Sequence, residues 1–380
     1  MSYEMDSKII DFINMINTKD NSKIPEPTYY TISTQSAMCS MGSAKNLNLS
    51  QIVVYIAKNI INNIVLKKDL NYLIRGIVVD NLIIRFDESH LKKYKKPVIK
   101  YMGNMLDPNN LTDCLFMLDN IDLLGNNSLK KHGRQKKKKD NEFFYNSCSI
   151  IVKGDENTKC VNIKLFNNGR ITLTGSKNEL DGYNAAIVLL EELKKDKLIF
   201  LDMEENDIDK IQITNYRITM INSDFNTKFK IDLLKLLSLL NTKEKELFTK
   251  FNPEKYRGLI IGFYWNTDKP FQDGKCVCNC KCNGKGPGYG IGGCKKVTIS
   301  IFKSGSIIIT GGRTVEQINS AYSKINSFLK DNYCDIIKMS ILDFIGDEDK
   351  CDTITNYTND NNSDEECVVI PKHKIIKVKK

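Results

Sequence analysis

The densest concentration of reactive groups in this chain is the run Cys276-x-Cys278-x-Cys280-x-Cys282, followed by Cys294. Four or five thiolates in a Gly-rich loop are soft donors of the kind that zinc or another soft metal takes. The proposed ligand set is Cys276, Cys278, Cys280 and Cys282. Alternating C-x-C departs from the usual C-x₂-C spacing of tetrahedral thiolate sites, so a flexible loop with free thiols is the alternative. The neighbouring Gly284-Lys-Gly-Pro-Gly-Tyr-Gly290 lacks the GxxxxGK[ST] pattern of a phosphate loop, and no helix is expected after it. Histidine is scarce, with only His90, His132 and His373. No paired-carboxylate, His or Ser constellation is recognisable, so the chain is not expected to be an enzyme. No cofactor is required, and zinc in the Cys-rich loop is optional.

Composition narrows the class. The chain has 380 residues, 41% of them hydrophobic, enough for a sizeable core in one large or two smaller domains. A net charge of +10 favours a polyanionic partner. The basic run Lys130-Lys-His-Gly-Arg-Gln-Lys-Lys-Lys-Lys139 reads as a solvated loop, or as a nucleic-acid contact or nuclear-localisation patch. Met1-Ser-Tyr-Glu-Met-Asp has no basic and apolar leader pattern, and no apolar run approaches membrane-spanning length, so no membrane partner is expected. Outside the cluster, the 12 cysteines are scattered and read as reduced intracellular thiols.

These groups must be positioned by a repeated element. Lys164-Leu-Phe-Asn-Asn-Gly-Arg-Ile-Thr-Leu-Thr-Gly175 recurs as Ser300-Ile-Phe-Lys-Ser-Gly-Ser-Ile-Ile-Ile-Thr-Gly311. Each copy reads as strand, tight turn and strand, and each runs into an amphipathic helix, at 175–195 and 314–330. Phe166 and Phe302 lie roughly 136 residues apart, too far for a solenoid repeat and suited to a duplicated domain. Strands are also expected at 28–38, within 75–85, and at 143–153, 211–220 and 256–265. Further helices are expected at 48–61 and 231–240. The resulting division is an N-terminal extension 1–24, a first repeat 25–200 and a second repeat 201–345. The first carries a long insert at about 63–141, which includes the basic loop 130–139. The second carries a Cys/Gly-rich insert at 268–295. A charged tail, 346–380, is expected to be disordered.

Strand alternation assigns Leu165, Ile171, Leu173, Ile301, Ile307 and Ile309 to a core beneath the long helices. The opposite face carries Lys164, Phe166, Arg170, Thr172 and Thr174, then Ser300, Phe302, Ser306, Ile308 and Thr310. That mixture is too apolar for ordinary solvent and too polar for a core, so it reads as a binding face.

The doubled pattern Phe-x-x-Gly-x-(apolar)-x-(apolar)-Thr-Gly, each copy followed by a helix, resembles the TATA-box-binding protein family. Further pieces agree. Tyr216 to Leu233 resembles the family's first strand and helix entry in repeat two. Glu254-Lys-Tyr-Arg-Gly-Leu-Ile260, with Pro253 before it, resembles the next strand. Ile32-Ser-Thr34 resembles the equivalent strand of repeat one. The resemblance spans about 25–61 and 143–344. It implies an α+β fold: a pseudo-twofold saddle of two repeats, with a curved antiparallel sheet, helices on the convex side, and inserts. It also implies a DNA-binding transcription initiation factor. In that family apolar wedges enter the minor groove and bend the duplex, which pyrimidine–purine steps tolerate cheaply.

By that resemblance Phe166, Phe302, Tyr145 and Tyr256 are wedges, and Thr174 and Thr310 contact bases. Ile32, Thr172 and Ile308 form the floor, and Arg170 meets phosphate. The implied partners are double-stranded DNA, a transcription factor IIB-like protein and RNA polymerase. The implied location is the nucleus, or a cytoplasmic viral factory or virion if the protein is viral. Tyr30 and Met220 stand where the family has a central pair of asparagines. Lys164, Ser300 and Asn222 replace apolar floor residues. A protein-interaction scaffold that kept the fold and lost DNA specificity is the competing expectation.

Overall fold

In the computed structural model, residues 24–65, 73–79, 82–101, 104–106 and 146–338 are described. The N-terminal extension up to residue 23, the basic run 130–139, Tyr145, His132, His373 and the tail from 339 lie outside the described residues.

The chain begins with β1 (Thr31–Met41) and α1 (Leu49–Val65). There follow β2 (Ile74–Val79), β3 (Leu82–Arg85), α2 (Glu88–Tyr94), β4 (Val98–Tyr101) and β5 (Asn104–Leu106). The first hairpin is β6 (Ser147–Val152), β7 (Val161–Phe166) and β8 (Arg170–Ser176), leading into α3 (Glu179–Leu193). A short α4 (Glu205–Ile208) precedes β9 (Ile213–Asn226) and α5 (Leu233–Lys243). The order then repeats through β10 (Phe248–Asn252), β11 (Tyr256–Trp265), β12 (Lys295–Ile301), β13 (Ser306–Gly312), α6 (Val315–Asp331) and α7 (Tyr333–Ile336).

Four long helices start where a side chain caps them; at α1, Asn48 accepts a hydrogen bond from the Gln51 N–H. Asn178 accepts a hydrogen bond from the Asp181 N–H, Asp232 from those of Leu234 and Lys235, and Thr314 from that of Gln317. Each cap satisfies an N–H that the first helical turn cannot. This places the start of α3 at Glu179 rather than at 175, because Gly175 is still in β8 with φ +104.

All thirteen described strands form one antiparallel sheet in the order β10-β11-β12-β13-β9-β1-β8-β7-β6-β2-β3-β4-β5. Outward from the centre, β9-β13-β12-β11-β10 mirrors β1-β8-β7-β6-β2. The strand order is therefore two-fold about the β1–β9 pair. It makes β2 the counterpart of β10, and leaves β3, β4 and β5 as extra strands on one edge only. β2 therefore belongs to the first repeat rather than to the expected insert at 63–141, and β10 is a short edge strand whose weak apolar alternation gives no strand signal in the sequence.

One face of the sheet is covered by helices. Beneath α1 and α3, Leu165, Ile171 and Leu173 are fully buried with Ile52, Ile56 and Leu189. Beneath α5 and α6, Ile301, Ile307 and Ile309 are fully buried with Leu236, Ile318 and Ala321. Each such aliphatic contributes about 1.5–3 kcal/mol on burial. The expected core alternation of both hairpins is therefore found, in two apolar clusters joined through Ile218.

Candidate nucleic-acid interface

The uncovered face is built by strand pairing. In the first half, Ser147 opposes Phe166, Lys164 opposes Thr172, and Thr172, Thr174 and Arg170 oppose Met38, Ser36 and Ser40. In the second half, Thr298 opposes Thr310, Ser300 opposes Ile308, and Ser306, Ile308 and Thr310 oppose Asn226, Asp224 and Asn222. Phe166, Thr172, Thr174, Arg170, Phe302, Ile308 and Thr310 therefore share one face, and all are at least partly exposed.

At the outer end of the second half, Tyr256 and Phe302 meet edge to face, with ring centroids 5.8 Å apart and an interplanar angle of 65°. Gly258 lies under both rings. A Cβ there would stand 2.7 Å from Tyr256 Cε1 and 3.1 Å from Phe302 Cε1. The missing side chain is what lets the rings stack. Tyr145, the matching candidate in the first half, lies outside the described residues.

Ile32 is not part of this face. It opposes Ser223 and packs against the helix-side cluster around Ile221 and Phe225. The register of β1 against β9 shifts between Ile32 and Thr34, and such an irregularity reverses which side chains point to which face. Tyr30 is likewise on the helix side: its hydroxyl donates to Asn319 Oδ1 at 2.5 Å, and its ring meets that of Tyr322.

The pairing gives the true equivalence. Thr174 faces Ser36 as Thr310 faces Asn222. Thr34 is therefore the counterpart of Met220, and Ser36 that of Asn222. The centre of the open face is Thr34 and Ser36 crossed with Asn222 and Met220. The expected match of Tyr30 with Met220 is therefore four residues out of register. β1 alternates Thr, Ser, Ala, Met and Cys with little hydrophobic contrast, and register is weakly specified in such a strand.

The electrostatics are uneven. Arg170, exposed, lies on the first half, and Arg217 opposes Met38 near the centre. In the second half Asp224 is exposed on the same face, opposite Ile308. Lys296 lies with its ammonium 4.4 Å from the Phe248 ring centroid. Asn222 Oδ1 is buried at the centre with no hydrogen-bond partner. Asn222 stands on the floor as expected, whereas Asp224 carries no signal in the sequence that separates it from an ordinary solvent-facing acid.

The cysteines also differ from expectation. Sγ atoms of Cys276, Cys278, Cys282 and Cys294 all lie within 4.8 Å of one another, an arrangement fit for a metal ion. Cys280 is exposed and outside the group. Cys294, buried at the start of β12, takes its place. Hydrogen bonds from the backbone and side chain of Cys294 and from the Gly293 N–H bring the Cys278 thiol down to about 7. Nearby, burial pushes the Tyr264 hydroxyl up, helped by the charges of Cys276, Cys282 and Cys294.

The sheet is thus two-fold in strand order, helix-covered on one face, and carries paired aromatic and hydroxyl positions on the other. Residues 215–332 match the family model described as "Transcription factor TFIID (or TATA-binding protein, TBP)". A protein of Acanthamoeba polyphaga mimivirus described as "TATA-box-binding protein-like" is 34% identical over 212 residues, covering 53% of this chain and 52% of that protein. The chain thus spans about half the length of the curated relative it matches. Among solved structures, Methanococcus jannaschii TBP aligns over 80% of this chain and 99% of its own, with 14% identity and a TM-score of 0.36. The chain is similar to TATA-box-binding proteins over residues 215–332 and, less locally, to the mimivirus protein over about half its length. Among the described residues, no helix is long and apolar enough to cross a membrane.

Proposed function

We propose that the open face binds and bends A/T-rich promoter DNA from the minor groove, and that this makes the chain a transcription initiation factor rather than an enzyme. One observation carries the reading. Each half puts a phenylalanine and a threonine at matching places on the open face, Phe166 with Thr174 and Phe302 with Thr310, about the same two-fold strand order. A·T pairs present only acceptors in the minor groove, whereas G·C adds the guanine amino group. Hydroxyls, an aliphatic floor at Thr172 and Ile308, and apolar wedges suit a groove without that group. By this reading the helical face and the outer edge of the second half recruit a transcription factor IIB-like protein and RNA polymerase. The site of action is the nucleus or a viral factory.

A second reading has support of its own. Asp224 is an exposed acid on the open face, where a phosphate backbone would have to pass. A protein-interaction scaffold with the same fold would tolerate it. Competition between A/T-rich and G/C-rich duplexes, with end-to-end distance read by energy transfer, separates the two. The DNA reading expects A/T preference, shortening on binding, and a loss of both in Phe302→Ala. No preference together with no loss in Phe302→Ala would leave the scaffold.

A further inference from the structure

The segment between β11 and β12 is long for a connection and has no core of its own. Phe271, Val277, Tyr289 and Ile291 are all exposed, at 74%, 46%, 50% and 61%. Connections beyond about 12–15 residues without secondary structure need some other tie to hold a single shape. This one is pinned at its two ends. The Asn266 N–H donates to Gln272 Oε1, while Gln272 Nε2 donates back to the Asn266 carbonyl. At the other end the Lys296 N–H donates to the Gly284 carbonyl. Between these ends the Asn283 N–H donates to the Ile291 carbonyl and the Gly286 N–H to that of Cys294, and the side chains gathered inside are the four sulfurs.

We propose that Cys276, Cys278, Cys282 and Cys294 bind one zinc ion as a closed tetrathiolate, and that this ion is the tie. A tetrahedron with Zn–S bonds of about 2.3 Å has sulfurs ~3.8 Å apart. Cys278 and Cys294 stand 3.5 Å apart, and no pair in the group exceeds 4.8 Å. Leaving out Cys280 brings part of the spacing into line, although Cys276-x-Cys278 remains alternating. Cys278-x₃-Cys282 falls within the ordinary ligand interval, and Cys294 supplies the distant fourth thiolate from the base of β12.

The surroundings are those of a ligated sulfur. The Gly293 N–H donates to Cys278 Sγ at 3.2 Å, the Gly284 N–H to Cys282 Sγ at 3.4 Å, and Asn266 Nδ2 to Cys294 Sγ at 3.4 Å. Such outer contacts orient thiolates and spread their charge. Gly292, at φ +87, passes so close that a Cβ would lie 2.6 Å from Cys282 Sγ. Four thiolates and one Zn²⁺ leave a net charge of about −2. Lys275, Lys281, Lys285, Lys295 and Lys296 surround that charge in sequence, against only Asp268 and Asp273. Thiolate ligands bind in exchange for protons, so uptake releases protons and the ion's binding energy becomes folding energy for the loop.

The test is metal content and cobalt spectroscopy of the full chain, purified under reducing conditions. About one zinc per chain is expected, with Co²⁺ substitution giving the intense visible bands of a tetrahedral tetrathiolate. Cys276→Ser and Cys278→Ser should lose those bands, while Cys280→Ser keeps them. Cys276 is exposed, so its replacement leaves the fold intact even if Cys294→Ser does not. Removal of zinc by chelation should open the loop to proteolysis near residues 270–290 and leave the hairpins protected. The proposal is overturned if the reduced chain takes up neither metal, if Cys280→Ser matches Cys278→Ser, or if intact mass shows the cluster held as disulfides. None of these readouts involves DNA, so the result stands apart from the proposed function.

Discussion

At the two hairpin turns, Gly169 donates its N–H to the Phe166 carbonyl and Gly305 donates to that of Phe302, both at 3.0 Å. The carbonyl of Gly169 then accepts from Met41 at 2.9 Å, and that of Gly305 from Thr227 at 3.0 Å. Met41 and Thr227 hold matching places at the ends of β1 and β9. On this shared frame the side chains diverge. Where the first half carries Arg170, Lys164 and Thr172, the second carries Ser306, Ser300 and Ile308. The first half extends its sheet with β3, β4 and β5, and the second extends its strand ends with the cysteine loop. Backbone hydrogen bonding and core volume have kept the frame alike, because either change would be felt throughout a packed half. The open face is under no such constraint: one half carries the cations Lys164 and Arg170, while the other replaces them with Ser300 and Ser306 and adds Ile308 and the acid Asp224. A duplex bound across it would meet two unlike halves, and so would be read in one direction.

The frame is the part of the comparison most easily broken. Gly169 and Gly305 sit at φ +74 and +85, where a side chain strains the backbone. A Cβ at Gly169 would lie 2.0 Å from the Ala44 carbonyl oxygen, and one at Gly305 would lie 2.1 Å from that of Phe229. Both obstacles are backbone and cannot swing aside. Gly169→Ala and Gly305→Ala should each cost at least about 3 kcal/mol. Gly288 has a similar φ of +75 but open space around it, so Gly288→Ala should cost only ~1–2 kcal/mol from backbone strain. Urea unfolding of the three variants checks the order. Unequal costs for Gly169 and Gly305 would show that the turns are not matched as described, and a Gly169 cost no larger than that of Gly288 would show that the Ala44 carbonyl can give way.

The next effect down separates the aromatic ends. Phe302 leans on Tyr256 across Gly258, whereas Phe166 is opposed by Ser147. Stacking of a base on an aromatic ring is worth about 1–3 kcal/mol, so either Phe→Ala change should weaken A/T-rich duplex binding by ~5–150-fold. Phe302→Ala should be the larger, since it also removes the ring that holds Tyr256 in place. Fluorescence titration gives the two losses, and a larger loss for Phe166→Ala would reverse the ranking of the halves.

Much of this was legible in the sequence, and the exceptions have physical causes. The hairpins were readable because strong apolar alternation, a turn glycine and a following helix coincide twice at the same spacing. The core followed from the same alternation. β1 was found as a strand but misplaced in register, since Thr34, Ser36, Ala37, Met38, Cys39 and Ser40 differ too little in hydrophobicity to mark a face. A shift at Ile32 then sent that residue to the helices. Three of the four gathered cysteines, Cys276, Cys278 and Cys282, are marked by their spacing, but spacing alone does not show that Cys280 turns outward while Cys294 joins the group. Only the folded return of the loop to β12 brings that fourth thiol in.

The smallest effect tests whether the charge difference between the halves does anything at all. Each phosphate neutralised by a cation steepens the dependence of log affinity on log salt by about 0.9. Arg170 and Ser306 hold matching positions on β8 and β13, opposite Ser40 and Asn226. Arg170→Ser should therefore flatten the salt slope by close to one unit, and Ser306→Arg should steepen it by as much. For a single contact, a fourfold rise in salt changes affinity by only ~3.5-fold. The double variant Arg170→Ser/Ser306→Arg should restore the original slope while moving the cation to the other half. If the two halves orient the duplex, that variant should bind an asymmetric A/T-rich site in the reverse direction more often, as read by a cleavage probe attached to one edge of the sheet. An unchanged orientation would assign direction to the aromatic end at Tyr256 and Phe302 instead, and reduce Arg170 to a contributor of affinity alone.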